Sequence, residues 1–75
     1  MAIFVLENVG AIETGELPSC DMKVWHPMNE KLRAIAEGAC RGRGYWNPVY
    51  NNWIVKSAFA DAVLSELATK TQRIS

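Results

Sequence analysis

Two segments of the chain carry apolar residues along one side of a helix only, and this pattern most limits the folds open to it. In the first segment the apolar residues are Leu32, Ile35, Ala36 and Ala39. In the second they are Ala60, Val63, Leu64, Leu67 and Ala68, with Phe59 widening the stripe. Asn29 and Ser57 precede the two segments and are predicted N-caps. Helices this short are marginal alone, so each must bury its apolar side against another layer.

Short β-branched and aromatic runs elsewhere in the chain supply that layer. Strands are predicted at residues 3–9, 11–17, 22–26, 45–46 and 53–56, the last two joined as a hairpin. The first run contains a continuous apolar stretch, which favours burial on both faces. The sequence therefore predicts an α+β fold, in which a small, mostly antiparallel sheet of three to five strands carries two helices on one face. The order is β–(β)–β–α–β–β–α, and residues 71–75 are expected to fray.

The length and charge of the chain limit its class further. Seventy-five residues are enough for one hydrophobic core, so residues 1–75 are predicted to form a single domain. No apolar run reaches the roughly 18–20 residues of a membrane span, and the first residues lack the basic start of a signal peptide. We therefore expect a soluble, cytoplasmic domain without membrane contact.

The net charge of zero hides a separation of charge along the chain. Residues 1–22 contain four carboxylates and no Lys or Arg, whereas residues 23–75 contain all eight cations and four carboxylates. A local basic patch is therefore possible on the second part of the chain.

The residues needed for catalysis or metal binding do not form a recognisable set. His26 is the single histidine, and no serine or cysteine nucleophile stands beside it in a suitable turn. Cys20 and Cys40 are interpreted as buried or idle thiols, because no disulfide is expected without a secretory signal. A zinc site needs four ligands, of which Cys20, His26 and Cys40 supply three and Asp21 a forced fourth. We expect no enzyme activity, no cofactor and no metal.

Residues 41–56 are the most informative stretch of the chain. They combine cations with aromatic residues: Arg41, Arg43 and Lys56 with Tyr45, Trp46, Tyr50 and Trp53. Exposed aromatics can stack on bases while arginines contact phosphates. The same residue types dominate protein interfaces, and Trp25 would extend such a patch. Trp46 and Trp53 could instead form a buried cross-strand pair.

The same hairpin resembles a known family. A helix at residues 32–39, the pair Trp46-Asn47, the strand Trp53-Ile54-Val55 and a final helix at residues 57–67 are similar to the HARP-type module. That module is a small α+β unit attached to annealing helicases and similar nucleic-acid-handling proteins. The resemblance implies a role beside nucleic acid. Asn51 and Asn52 stand where the family tends to have basic residues, which weakens direct contact of the hairpin tip with DNA.

Three hypotheses follow. The leading one is a non-catalytic protein, phage- or plasmid-encoded, that docks on a protein component of a nucleic-acid-handling host complex and inhibits it, similar in size and style to anti-CRISPR proteins. Its partner-binding residues would be Trp25, Arg41, Arg43, Tyr50 and Lys56. The alternative is a single-stranded nucleic-acid-binding module in which Trp46 and Trp53 stack on bases. The third is a small homodimer that pairs edge to edge through its first strand.

Overall fold

A single six-stranded sheet with two helices on one face forms the computed structural model, which describes residues 1–74. The strands are β1 (Ala2–Leu6), β2 (Gly10–Glu16), β3 (Met22–Trp25), β4 (Gly44–Asn47), β5 (Asn52–Val55) and β6 (Gln72–Arg73). The helices are α1 (Glu30–Cys40) and α2 (Ala60–Lys70). Neighbouring strands are antiparallel in the order β4-β5-β3-β2-β1-β6. The α+β prediction is confirmed, with one strand more than the upper limit of the predicted range.

The hydrophobic core lies between the helices and one face of the sheet. Phe4 pairs with Ile12 across β1 and β2, and both side chains are fully buried. Helix α1 packs over β2 and helix α2 over β1. The helical side chains in this core are Leu32, Ala36, Ala39 and Cys40 from α1 and Val63 and Leu67 from α2. The predicted stripes therefore face the sheet, although Ala68 and Phe59 are exposed.

The other face of the sheet is only partly covered by its own side chains. Ile3 and Val5 alternate with the buried Ala2 and Phe4 and are half-buried, so the predicted burial of the first strand on both faces is wrong. Both helices pack on the Phe4 side, which leaves this second face without a layer in residues 1–74. Ile54 lies on this second face but is only 8% exposed, because its cross-strand neighbours Lys23 and Tyr45 flank it on both sides.

The start of α1 follows the sequence prediction. The Asn29 side-chain oxygen accepts hydrogen bonds from the backbone amides of Lys31 and Leu32 at 2.9 and 3.1 Å. The helix ends before Gly42, whose φ of 77° lies in the left-handed region that glycine tolerates. Because both ends of α1 are fixed by local chemistry, its position could be read from the chain.

The start of α2 differs from the prediction. Ser57 does not cap the helix: residues Ser57–Phe59 form a single 3₁₀ turn, and α2 begins at Ala60. The backbone amide of Ser57 donates instead to Asp21 Oδ1 at 3.1 Å. This contact joins the entry of α2 to the segment before β3, which is distant in sequence.

The C-terminal segment is also a correction. Residues 72–73 form β6, which pairs with Phe4 and Val5 of β1, and the Ile74 amide donates to the Ile3 carbonyl at 2.9 Å. The predicted fraying is therefore wrong for residues 72–74, while Ser75 lies outside the described residues. Since β1 is flanked by β2 and β6, a dimer through the edge of the first strand would require β6 to be displaced.

Candidate interaction site

The hairpin of β4 and β5 is the element on which the candidate site is built. The Asn47 side-chain oxygen accepts a hydrogen bond from the Val49 amide at 3.0 Å, which starts the turn. Asn51 ends the turn with a φ of 52°, a left-handed conformation that asparagine tolerates. The predicted hairpin is confirmed, and its register places Trp46 directly opposite Trp53.

The two tryptophans of the hairpin form an edge-to-face pair. Their ring centroids are 6.0 Å apart and the ring planes are inclined by 72°, a geometry that favours aromatic pairs beyond their burial. Trp53 is half-buried against the core, whereas Trp46 is 41% exposed. The pair is therefore neither a purely buried one nor a free stacking platform: Trp53 anchors the hairpin and Trp46 faces solvent.

A groove of about 840 Å³ lies between this pair, helix α1 and the segment that joins β3 to α1. Trp46 and Trp53 line it from the hairpin, and Glu30, Arg33 and Glu37 line it from α1. The joining segment contributes residues 25–29. The groove therefore joins the hairpin to residues 25–37, which precede it in the chain, with aromatic rings on one side and charged side chains on the other.

His26 lies in the wall of this groove. Its Nδ1 atom is 2.9 Å from the Pro27 carbonyl oxygen, so Nδ1 carries the proton and donates. Its Nε2 atom is buried and has no hydrogen-bond partner within residues 1–74. The imidazole ring lies 6.0 Å from the ring of Trp46. His26 thus packs beside Trp46 in the groove wall.

The three cations predicted to bind a partner are each engaged within the protein. Arg43 donates to Glu66 Oε1 at 3.1 Å and to the Ala39 carbonyl at 3.0 Å, which joins the loop after α1 to both helices. Arg41 forms an ion pair with Glu37 on the surface of α1. The Lys56 Nζ atom lies 5.7 Å from the centre of the Tyr45 ring.

The predicted site residues therefore fall into separate places. Trp25 lines the groove together with Trp46 and Trp53. Tyr50 is 71% exposed at the hairpin tip. Residues 41 and 43 precede β4 and so lie at the other end of the hairpin from Tyr50.

Two exposed apolar residues near the groove and the hairpin were not predicted from the sequence. Met28 is fully exposed in the segment between β3 and α1, and Val49 is exposed in the hairpin turn. Neither belongs to a strand or helix pattern that would bury it, and this lack of a pattern is the signal that could have found them. Together with four exposed aromatic residues of the hairpin and of the segment at residues 25–28, they make up a set that we call the aromatic end, whose members lie on both faces of the sheet and at the hairpin tip. Its members are Trp25, Met28, Tyr45, Trp46, Val49 and Tyr50.

The two cysteines differ in their surroundings and do not form a disulfide. Cys20 is exposed, and Cys40 is buried in the core. Burial raises the pKa of the Cys40 thiol to about 12, against the smaller opposing effect of Arg43. Across residues 1–74, no group of three or more His, Cys, Asp or Glu side chains is arranged to hold a metal ion.

Comparison of the chain with protein-family models, curated proteins and solved structures found no match. The resemblance of the hairpin to the HARP-type module therefore stays a prediction from the residues that carry it. No helix in the described part of the chain is long and apolar enough to cross a membrane.

Proposed function

We propose that this chain is a non-catalytic binding protein that docks on another protein through its aromatic end. The observation that carries the proposal is the placement of large apolar side chains on the surface. Nine of these are exposed in residues 1–74, and six of the nine belong to the aromatic end. Exposed apolar clusters of this kind mark interaction sites, and Trp and Tyr are the residue types that dominate binding energy at protein interfaces.

The charges around the aromatic end favour a protein partner over nucleic acid. Arg41 and Arg43 are paired with Glu37 and Glu66, whose carboxylates offset the attraction of these cations for a phosphate. The groove itself carries Glu30 and Glu37 beside Arg33. A nucleic-acid surface would instead need uncompensated cations along the path of the backbone.

The class of partner rests on the resemblance of the hairpin to the HARP-type module. We propose that the target is a protein component of a complex that handles nucleic acid, and that docking inhibits the complex by covering a surface. This role needs no catalytic residue. It needs a rigid platform, which the sheet and the two helices provide.

Site-specific photo-crosslinking tests the docking proposal. A photoreactive phenylalanine analogue is placed at Tyr50 or, as the matched control, at Phe59, which is also an exposed aromatic but lies outside the aromatic end. In lysate of the cells that naturally express the chain, we expect a single protein of a nucleic-acid-handling complex to crosslink at position 50 and not at position 59. Pretreatment with nuclease should leave the crosslink unchanged.

Substitutions then test the assignment of the surface. Trp25→Ala and Tyr50→Ala should each reduce recovery of that protein at least about tenfold, since hot-spot aromatics cost 2 kcal/mol or more on truncation. Phe59→Ala should leave recovery unchanged. Loss of the partner with Phe59→Ala but not with the other two would refute the proposed surface.

Titration of labelled single-stranded DNA and RNA tests the alternative function. The proposal expects no binding at low salt. Micromolar binding that weakens steeply between 50 and 200 mM salt would instead support the stacking module and would contradict docking on a protein. The salt dependence would arise because binding releases the cations that are condensed on the nucleic acid.

A further inference from the structure

The outer strand β4 ends the sheet with unpaired backbone groups. The backbone amide of Lys56 donates to the Arg43 carbonyl, so positions 43 and 56 form a hydrogen-bonded pair in the hairpin register. Such pairs alternate along an antiparallel ladder. Tyr45 therefore bonds to Ile54, whereas the N–H and C=O groups of Gly44 and Trp46 point away from β5. Within residues 1–74, β4 has no neighbouring strand on that side.

This edge lacks the features that usually protect a sheet edge. Strand β4 has no charged residue, proline or bulge in Gly44–Asn47, and Tyr45 and Trp46 are exposed on its two faces. The opposite edge of the sheet is different: β6 is only two residues long and contains Arg73. Natural proteins block edge pairing with short strands and charges, and an uncharged exposed edge is a template for another strand.

We propose that a second copy of this chain pairs along β4 in antiparallel orientation, with the two-fold axis at Tyr45. In this register Gly44 of one copy lies opposite Trp46 of the second copy, and both outward-facing residues are used on each strand. The pair then forms four backbone hydrogen bonds. A register centred on Trp46 or on Gly44 would form only two within the strands, so the axis at Tyr45 is preferred.

The side chains fit the same register. Opposite residues in an antiparallel pair lie on the same face of the sheet. The Trp46 indole would therefore cover Gly44 of the second copy, where the absence of a side chain leaves room for it, as aromatic residues do beside edge glycines. On the other face the two Tyr45 rings would meet as a cross-strand pair. No carboxylate or cation belongs to β4 itself.

The expected dimer is weak, because the contact is short. Two four-residue strands, with two Trp–Gly contacts on one face and one pair of tyrosines on the other, bury less than the roughly 1,200 Å² typical of stable interfaces. We expect a dissociation constant on the order of 100 µM. Trp25, Met28 and the hairpin tip remain open in both copies, whereas Tyr45 and Trp46 of the aromatic end are covered.

Sedimentation equilibrium of the purified chain between 1 µM and 1 mM tests the proposal. The average mass should rise from the 8.4 kDa of one chain toward twice that value. Tyr45→Lys places two cations opposite each other at the axis and should weaken the dimer at least about tenfold. Tyr50→Lys, the same change at the hairpin tip, should leave the dissociation constant within twofold.

Dilution of the unaltered protein, followed by amide NMR, keeps the test independent of any variant. The Gly44 and Trp46 amides should shift and become protected from exchange as concentration rises. The Tyr45 amide, bonded to Ile54 within each chain, should be protected at every concentration. Higher salt should strengthen the dimer slightly, because each copy brings a Lys56 ammonium close to the axis residue Tyr45.

Two results would overturn the proposal. One is a mass of one chain up to 1 mM. The other is a dimer whose strength and amide shifts are indifferent to Tyr45→Lys, since that dimer would use a different surface. Both measurements use the purified chain alone, so the dimer and the docking of a protein partner can fail separately.

Discussion

The half of the sheet beneath the helices and the half formed by the hairpin use similar residues in opposite ways. In the first half Phe4 is fully buried between β1 and the helices. In the second half, the helices pack mainly on other strands than β4. Tyr45 and Trp46 of β4 are therefore exposed. The position of a strand relative to α1 and α2, and not its aromatic content, decides whether an aromatic residue stabilises the fold or remains available for binding.

This division suggests that stability and recognition are separable in the molecule. A chain of this length has little stability to spare, because small domains bury a modest fraction of their surface. A protein that held its binding residues in the core would lose the fold whenever the binding surface changed. Here no side chain of the aromatic end belongs to the buried core, so these residues can be altered without removing a core side chain.

Truncation of a core aromatic should produce the largest effect. Phe4→Ala leaves a cavity in the fully buried core and should lower the free energy of unfolding by about 3–5 kcal/mol, enough to unfold much of the population. Tyr50→Ala should change it by no more than about 0.5 kcal/mol. Urea unfolding followed by circular dichroism measures both. Comparable losses for the two variants would contradict the division of the sheet into two halves.

Two glycine substitutions, one in the hairpin and one in α1, should change the free energy of unfolding in opposite directions. A Cβ atom at Gly44 would lie 2.1 Å from the Ile54 carbonyl oxygen, so Gly44→Ala must push β4 away from β5 and should cost about 1–3 kcal/mol. Gly38 lies within α1, and a Cβ atom added there would have no atom within 4 Å apart from the neighbouring backbone of its own helix. Gly38→Ala should therefore stabilise the protein by about 0.5–1 kcal/mol.

The amides that lose protection locate the damage caused by Gly44→Ala. We expect increased hydrogen exchange at Tyr45 and Ile54, with Phe4 and Ile12 still protected under native conditions. A uniform loss of protection would show that the two halves of the sheet unfold as one unit. The halves would then differ in their packing but not in their stability.

The sequence was sufficient for the elements whose signals are local. The stripe of Leu32, Ile35, Ala36 and Ala39 and the cap at Asn29 placed α1, and the aromatic runs around an Asn/Pro turn placed the hairpin with Trp46 beside Trp53. Each of these signals lies within about ten residues of the chain. Periodicity and turn chemistry act over that range, and no partner from elsewhere in the fold is needed to read them.

The rest could not be predicted because it depends on distant parts of the chain. Strand β6 is two residues long, too short for any periodic pattern, and exists because the chain returns from α2 to the free side of β1. The groove joins residues 25–29 to α1 and to the hairpin. The role of Arg43 is set by Glu66, 23 positions away in the sequence. A basic loop before an aromatic strand reads as a binding site until its carboxylate partner is known.

The two cysteines should report the difference between surface and core without any change to the fold. An excess of a thiol reagent at neutral pH should modify Cys20 rapidly and Cys40 only on unfolding, since Cys40 is buried and its pKa is raised to about 12. Mass spectrometry of the labelled peptides measures this. Equal labelling of both residues in native protein would place Cys40 outside the core.

The raised pKa of Cys40 also predicts a pH dependence. Above pH 9 the thiol ionises in the unfolded chain but stays protonated in the folded one until about pH 12. The folded state then binds more protons, so stability should fall as the pH rises through this window, by up to about 1.4 kcal/mol per pH unit. Cys40→Ala should remove this part of the slope. The same slope in both proteins would assign it to other groups.

The smallest expected effect distinguishes the two arginines that precede β4. Arg43 joins the Ala39 carbonyl and the Glu66 carboxylate, so Arg43→Ala should lower the free energy of unfolding by about 1 kcal/mol. Arg41 forms a surface pair with a side chain 76% exposed, and Arg41→Ala should cost no more than about 0.5 kcal/mol. Urea unfolding at low and high salt measures both, with a double substitution of Arg43 and Glu66 to isolate their pair.

That comparison also bears on recognition. If Arg43→Ala lowers stability but leaves capture of the partner unchanged, Arg43 belongs with the helices as a link between α1 and α2, and the aromatic end acts without it. If Arg43→Ala leaves stability unchanged and abolishes capture, the pair with Glu66 opens on binding, and the boundary between the two halves must be moved to include the loop before β4. The outcome is decided by residues 39, 43 and 66, none of which lies in the aromatic end itself.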